Sequence, residues 1–138
     1  MKQPMIIFTR SFDFVHWLIP RTMSFPRSQR FVVTRRLQDA VLDFYEHLTE
    51  ANQCRGRRRL QWLRRAEVAL DKTRHYLRLA STWGWLSEGQ YQHAAQMVAE
   101  LGRLLGGWIK QTSAEKPPAN QGAAPEGTPG VARGRIQQ

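Results

Sequence analysis

Residues 87–111 read SEGQYQHAAQMVAELGRLLGGWIKQ, and their spacing decides the fold. Tyr91, Ala94, Val98, Leu101, Leu105 and Trp108 step by three and four, which sets them along one side of an α-helix as a seam of bundle type. Ser87 and Gln90 have the spacing of a capping box, in which the two side chains satisfy backbone N–H groups reciprocally. The pattern predicts a helix over 87–111. Gly102, Gly106 and Gly107 fall inside it, although glycine costs about 1 kcal/mol against alanine in a helix interior. Their clustering predicts that another backbone approaches closely. Packing within the chain and contact between subunits both satisfy that expectation.

Working outward, three more amphipathic segments precede this one. The segment at 7–23 places Phe8, Phe12, Val15 and Ile19 at helical spacing, and Pro20 predicts a kink or an early stop. Phe25-Pro26 then requires an extended or turn step, because a residue before proline avoids the helical region. The segment at 28–52 carries Val33, Leu37, Val41, Phe44, Leu48 and Ala51 as its apolar stripe, with Ser28 as the expected N-cap. The segment at 58–82 aligns Leu60, Leu63, Leu70 and Leu77, flanked by Ala66 and Ala80. Gly84, between Trp83 and Trp85, suits a left-handed C-terminal cap. No stretch shows strand alternation or hairpin turns. Four amphipathic helices on short connections predict an all-α, antiparallel up-down four-helix bundle over residues 1–112. Residues 113–138 hold four Pro, four Gly and five Ala without an aromatic, and are expected to form a disordered tail.

The composition bounds what such a bundle does. The chain has 138 residues, enough for one domain, with 41% hydrophobic and 23% charged residues. Its charge is strongly one-sided: 21 Lys plus Arg against 11 Asp plus Glu, a net +10, with seventeen of the cations arginine. A polyanionic partner is favoured. A single cysteine, Cys54, excludes an intrachain disulfide and a multi-cysteine zinc site, and suits a cytoplasmic protein. Met5-Ile6-Ile7-Phe8 after Lys2 resembles the start of a signal peptide. Arg10 and Asp13 break the run and no small-residue cleavage site follows, so it is expected to belong to the mature fold. No run approaches the roughly 18 apolar residues of a membrane span.

The positive charge is concentrated. Residues 55–78 hold nine basic residues against Glu67 and Asp71, a net +7. Arg58, Arg65 and Lys72 recur every seven residues and lie nearly opposite Leu63, Leu70 and Leu77, with Arg57 and Arg64 flanking them. This is a basic ridge about 20 Å long at the helical rise per residue. A solvated helix face and a phosphate-binding surface both account for it; the scarcity of interspersed acids favours the second. The ridge does not separate RNA, DNA and an acidic protein surface as partners. Arg74 and Arg78 fall on the margin of the apolar face, where an ion pair from Arg74 to Glu100 is expected. Arg30, Arg35 and Arg36 gather at the start of the second helix, against its dipole. Catalytic chemistry finds no support. His16, His47, His75 and His93 fall on four different helices, no Glu-x-x-His pair occurs, Cys54 has no organised base nearby, and there is no Gly-rich phosphate loop. No cofactor or metal is expected.

Three runs resemble a known family. Phe25-Pro26-Arg27-Ser28-Gln29-Arg30-Phe31 looks like the motif between the first two helices of the Avd-like four-helix-bundle proteins. Ala99-Glu100-Leu101-Gly102-Arg103-Leu104-Leu105-Gly106-Gly107-Trp108-Ile109-Lys110 resembles their final helix, and Arg74-His75-Tyr76-Leu77-Arg78-Leu79 their third. The family includes the accessory variability determinant of diversity-generating retroelements and a relative encoded in ribosomal-RNA intervening sequences. The resemblance spans about 8–111. It implies a homopentameric barrel with a basic surface that binds the retroelement's reverse transcriptase and its template RNA or DNA, without being an enzyme itself. It marks Arg74 and Arg78 of the third helix, and Arg103 and Lys110 of the fourth, as binding residues. The intervening-sequence branch implies the alternative of an RNA-binding bundle without a reverse transcriptase. Nothing transfers to residues 113–138.

Overall fold

The structure, a computed structural model, describes residues 2–115. Four helices form: α1 (Lys2–Thr22), α2 (Arg35–Asn52), α3 (Gly56–Thr82) and α4 (Glu88–Ala114). Each packs against its neighbours in sequence, and α1 closes the ring against α4. The α2–α3 and α3–α4 connections are only a few residues long, which forces those neighbours to run antiparallel. The chain is the four-helix, antiparallel all-α protein that the periodicity predicts. The tail expected from residue 113 begins slightly later, since α4 runs to Ala114; from residue 116 it lies outside the described residues.

The ends of α3 and α4 follow local chemistry. Ser87 Oγ accepts from the Gln90 N–H at 3.1 Å, while Gln90 Oε1 accepts from the Ser87 N–H at 2.9 Å, completing the capping box. Gly84 takes φ +80°, a conformation that side-chain-bearing residues avoid. The Trp85 N–H then reaches back to the Ala80 carbonyl at 2.8 Å and the Gly84 N–H to Ser81 at 3.0 Å, a Schellman termination. It turns Trp85 onto Phe25 and Trp83, with ring centroids at 5.3 and 5.0 Å.

Two starts differ from expectation. Ser28 is not an N-cap. A 3₁₀ turn (Arg27–Gln29) and a π-helical turn (Arg30–Thr34) precede α2, and neither start has a side-chain cap. The proline at 26 fixes an extended entry, and the chain adjusts its winding over the next two turns before regular α-helix begins. Helix α1 starts at Lys2, five residues earlier than expected, and stops at Thr22, so Pro20 marks an early stop.

The core is one cluster drawn from all four helices. Leu37, Val41, Phe44 and Leu48 of α2, Leu63, Ala66, Leu70 and Leu77 of α3, and Ala94, Val98, Leu101, Leu105 and Trp108 of α4 are buried as the spacing requires. In α1 the buried face is rotated. Ile7, Phe14 and Leu18 are fully buried, whereas Phe12 is 56% exposed and Phe8, Val15 and Ile19 sit half-buried at the margin. Apolar residues surround most of this helix, so its periodicity selects no single face. Trp108 is the largest fully buried side chain. Phe8 meets it edge-on at 6.1 Å, and the Arg59 guanidinium lies 5.5 Å from its ring centre.

Candidate polyanion-binding surface

The basic residues of α3 divide into two groups on opposite flanks of the helix. Arg58, Arg65 and Lys72 are exposed, as the ridge requires, and the ridge faces the α2 side. Lys72 lines a shallow groove there with Arg36, Asp39, Asp43 and Tyr76. The two α2 carboxylates weaken the positive field at that end, an effect hidden in a sequence read one helix at a time. Arg65 lies over the Trp62 ring at 4.6 Å, which holds its guanidinium against the helix surface. Arg57 and Arg64 are exposed near the crest, and Arg64 is partly neutralised by Glu67 at 3.2 Å. Arg59 plays a different part. It is half-buried, and its Nε donates to the Ala51 carbonyl at the end of α2 at 3.0 Å, so it joins helices instead of facing a ligand.

Arg74 and Arg78 form the second group, on the α4 side. With Asp71, His75, Tyr91 and Val98 they line a groove of about 360 Å³ between α3 and α4. The expected Arg74–Glu100 pair does not form. Glu100 is taken by Arg10 of α1 at 3.0 Å, and Arg74 turns to Asp71 of its own helix at 3.6 Å. Both sites are exposed enough for solvent to compete, and each pair is worth less than about 1 kcal/mol. Asp71 also faces His75 Nε2 at 3.9 Å. Arg103 and Lys110 are exposed on α4, and Arg103 follows the glycine that Arg74 reaches. The described residues thus bring Arg74 and Arg78 together, apart from the ridge. His75 and Tyr91 belong to the groove as well; Tyr91 reads in the sequence as part of the core seam.

The glycines of α4 do not admit a backbone. A β-carbon on Gly102 would stand 2.6 Å from Nη2 of Arg74, so the missing side chain makes room for a guanidinium. Gly106 has nothing within 4 Å of that position among the described residues. Because the obstructing atom is the far end of a flexible chain, Gly102→Ala is expected to push Arg74 aside without unfolding the bundle. The gain in helix propensity, about 1 kcal/mol, should hold or raise the unfolding midpoint in a denaturant titration. A lower midpoint would mean that the Arg74 guanidinium is fixed against α4 and cannot move.

Among the described residues, no group of three or more His, Cys, Asp or Glu is placed to hold a metal. No described helix is long and apolar enough to cross a membrane.

A four-helix bundle with cationic flanks on its third helix defines a class of small helical binding proteins. The family model for bAvd-like proteins matches residues 5–112, and the chain belongs to that family. No curated protein matches it in sequence. Among solved structures it is similar to a protein of unknown function from the S23 ribosomal protein family of Bacteroides thetaiotaomicron. The TM-score is 0.72 at 19% identity, over 78% of this chain and 98% of that one. That likeness concerns the fold.

Proposed function

We propose that this protein is the non-catalytic accessory subunit of a diversity-generating retroelement. In this role it binds the element's reverse transcriptase and its template RNA or DNA during mutagenic cDNA synthesis. The observation that carries the proposal is the division of charge on α3 of a bAvd-like bundle: two separate cationic flanks suit two different partners. The ridge of Arg58, Arg65 and Lys72, with Arg57 and Arg64 at the crest, is the surface for the phosphate backbone, where each neutralised phosphate releases counterions. Arg74 and Arg78 beside α4, with Arg103 and Lys110, are the surface for the protein partner. The assembly is a cytoplasmic homopentamer, with a mass of about 80 kDa for five chains of 16.0 kDa.

Co-expression with the reverse transcriptase encoded beside this gene tests the proposal. The two proteins should co-purify after nuclease treatment, in a complex that contains the pentamer. Separation on nuclease treatment would overturn the protein–protein contact and leave a stand-alone RNA-binding bundle. A monomer by light scattering would overturn the barrel.

A further inference from the structure

The step between α1 and α2 encloses a second cavity, of about 340 Å³, at one end of the bundle. Met23, Phe25 and Pro26 give it an apolar wall, and Arg27, Arg30 and Thr34 give it donors. This volume lies within the range of small-molecule sites, and the mixture of an apolar wall with a few convergent polar groups is their usual composition.

Thr34 is the informative residue. It is only 5% exposed, and its hydroxyl has no hydrogen-bond partner among the described residues. A buried hydroxyl in this condition costs stability. Its neighbours in the wall are different: Gln38 Nε2 donates to Thr22 Oγ1 at 2.8 Å, and Thr22 Oγ1 donates to the Ile19 carbonyl at 2.6 Å. Thr34 also ends the π-helical turn, a winding that recurs at functional sites. Arg27 and Arg30 are exposed, and no carboxylate lines the cavity among the described residues. Two unneutralised guanidinium groups and a hydroxyl therefore approach one space from three positions. A carboxylate is satisfied by one guanidinium fork; a phosphate monoester, with three terminal oxygens and greater charge, uses all three donors.

We propose that this cavity binds a phosphate monoester carried on a small aromatic or apolar group, with nucleoside 5′-monophosphates as the fitting class. The phosphate sits between Arg27 and Arg30 and accepts from the Thr34 hydroxyl, and the base lies on Phe25 and Met23. The site needs neither the α3 ridge nor a protein partner.

Calorimetric titration of the full chain with adenosine 5′-monophosphate, adenosine and inorganic phosphate tests this, at a salt concentration that suppresses binding to the ridge. The monophosphate should bind once per chain and adenosine should not bind; inorganic phosphate should bind more weakly than the monophosphate. Arg27→Gln, Arg30→Gln and Thr34→Val should each weaken binding about tenfold. Thr34→Val should also raise the melting temperature by a few degrees, because it removes a buried hydroxyl that has no partner. Arg58→Gln with Arg65→Gln should leave binding unchanged. A trinucleotide phosphorylated at its 5′ end separates the sources: tighter binding than the free nucleotide identifies a strand end, and weaker binding a free nucleotide. Equal binding of adenosine, loss of binding in the ridge variant, no binding at millimolar ligand, or a melting temperature lowered by Thr34→Val would each overturn the proposal.

Discussion

Reversing the ridge, with Arg58, Arg65 and Lys72 each changed to Glu, is expected to lower affinity for RNA or DNA about a hundredfold at low salt. The same change should reduce the slope of log affinity against log salt by about 3. Both effects have one origin: three side chains that would displace condensed counterions instead repel the strand. All three are exposed, so the helix has no packing to lose, and a far-ultraviolet spectrum and melting curve should match the parent protein. Filter binding across a salt series measures both quantities. If affinity and slope do not change, the ridge is a solvated face and nucleic acid binds elsewhere. Lys72 sits beside Asp39 and Asp43, so Lys72→Glu alone should have the smallest effect of the three.

The second large effect concerns folding. Trp108→Ala is expected to destabilise the chain by about 4 kcal/mol, because it removes the largest buried side chain and leaves a cavity the neighbours cannot close. Phe8 loses its edge contact and Arg59 its aromatic face, so α1, α3 and α4 lose a common junction. Against a total stability of roughly 5–15 kcal/mol, this is a large fraction. Phe12→Ala is the informative comparison. Both residues are apolar members of a helical repeat in the sequence, yet Phe12 is 56% exposed and its loss should cost no more than about 0.5 kcal/mol. Urea titrations of the two variants read the contrast, and equal losses would contradict the packing described for α1.

How far the sequence reveals this molecule depends on how strongly each helix is polarised. The stepping of Tyr91 to Trp108, the Ser87 capping box and the Gly84 cap are local signals, and each leads to the element found. Helix α1 is apolar over most of its circumference, so the face that packs is chosen by the other three helices and its spacing does not predict it. The surface follows the same division. Exposure of Arg58, Arg65 and Lys72 is a property of one helix and is legible. The partner of Arg74 depends on three: Arg10 of α1 takes Glu100 of α4 and leaves Arg74 to Asp71. The glycines of α4 signal a close approach, but only the packed helices show that a guanidinium at Gly102 makes it. The cavity under Thr34 has no signature beyond Phe25-Pro26, because a change in helical winding leaves no periodic pattern.

The turn that ends α3 has an optical consequence. Trp83 and Trp85 lie 5.0 Å apart with their planes at 50°, and Phe25 stands on the far side of Trp85. Two indoles at that distance and tilt absorb as a coupled pair, so their near-ultraviolet dichroism is set by the geometry of one glycine-capped turn. Trp108, deep in the core, contributes from a separate environment. The molecule thus carries two built-in gauges, one for the seating of its α1–α2 step against the α3–α4 turn and one for the interior. A titration that shifts one signal and leaves the other still reports which end of the bundle has responded.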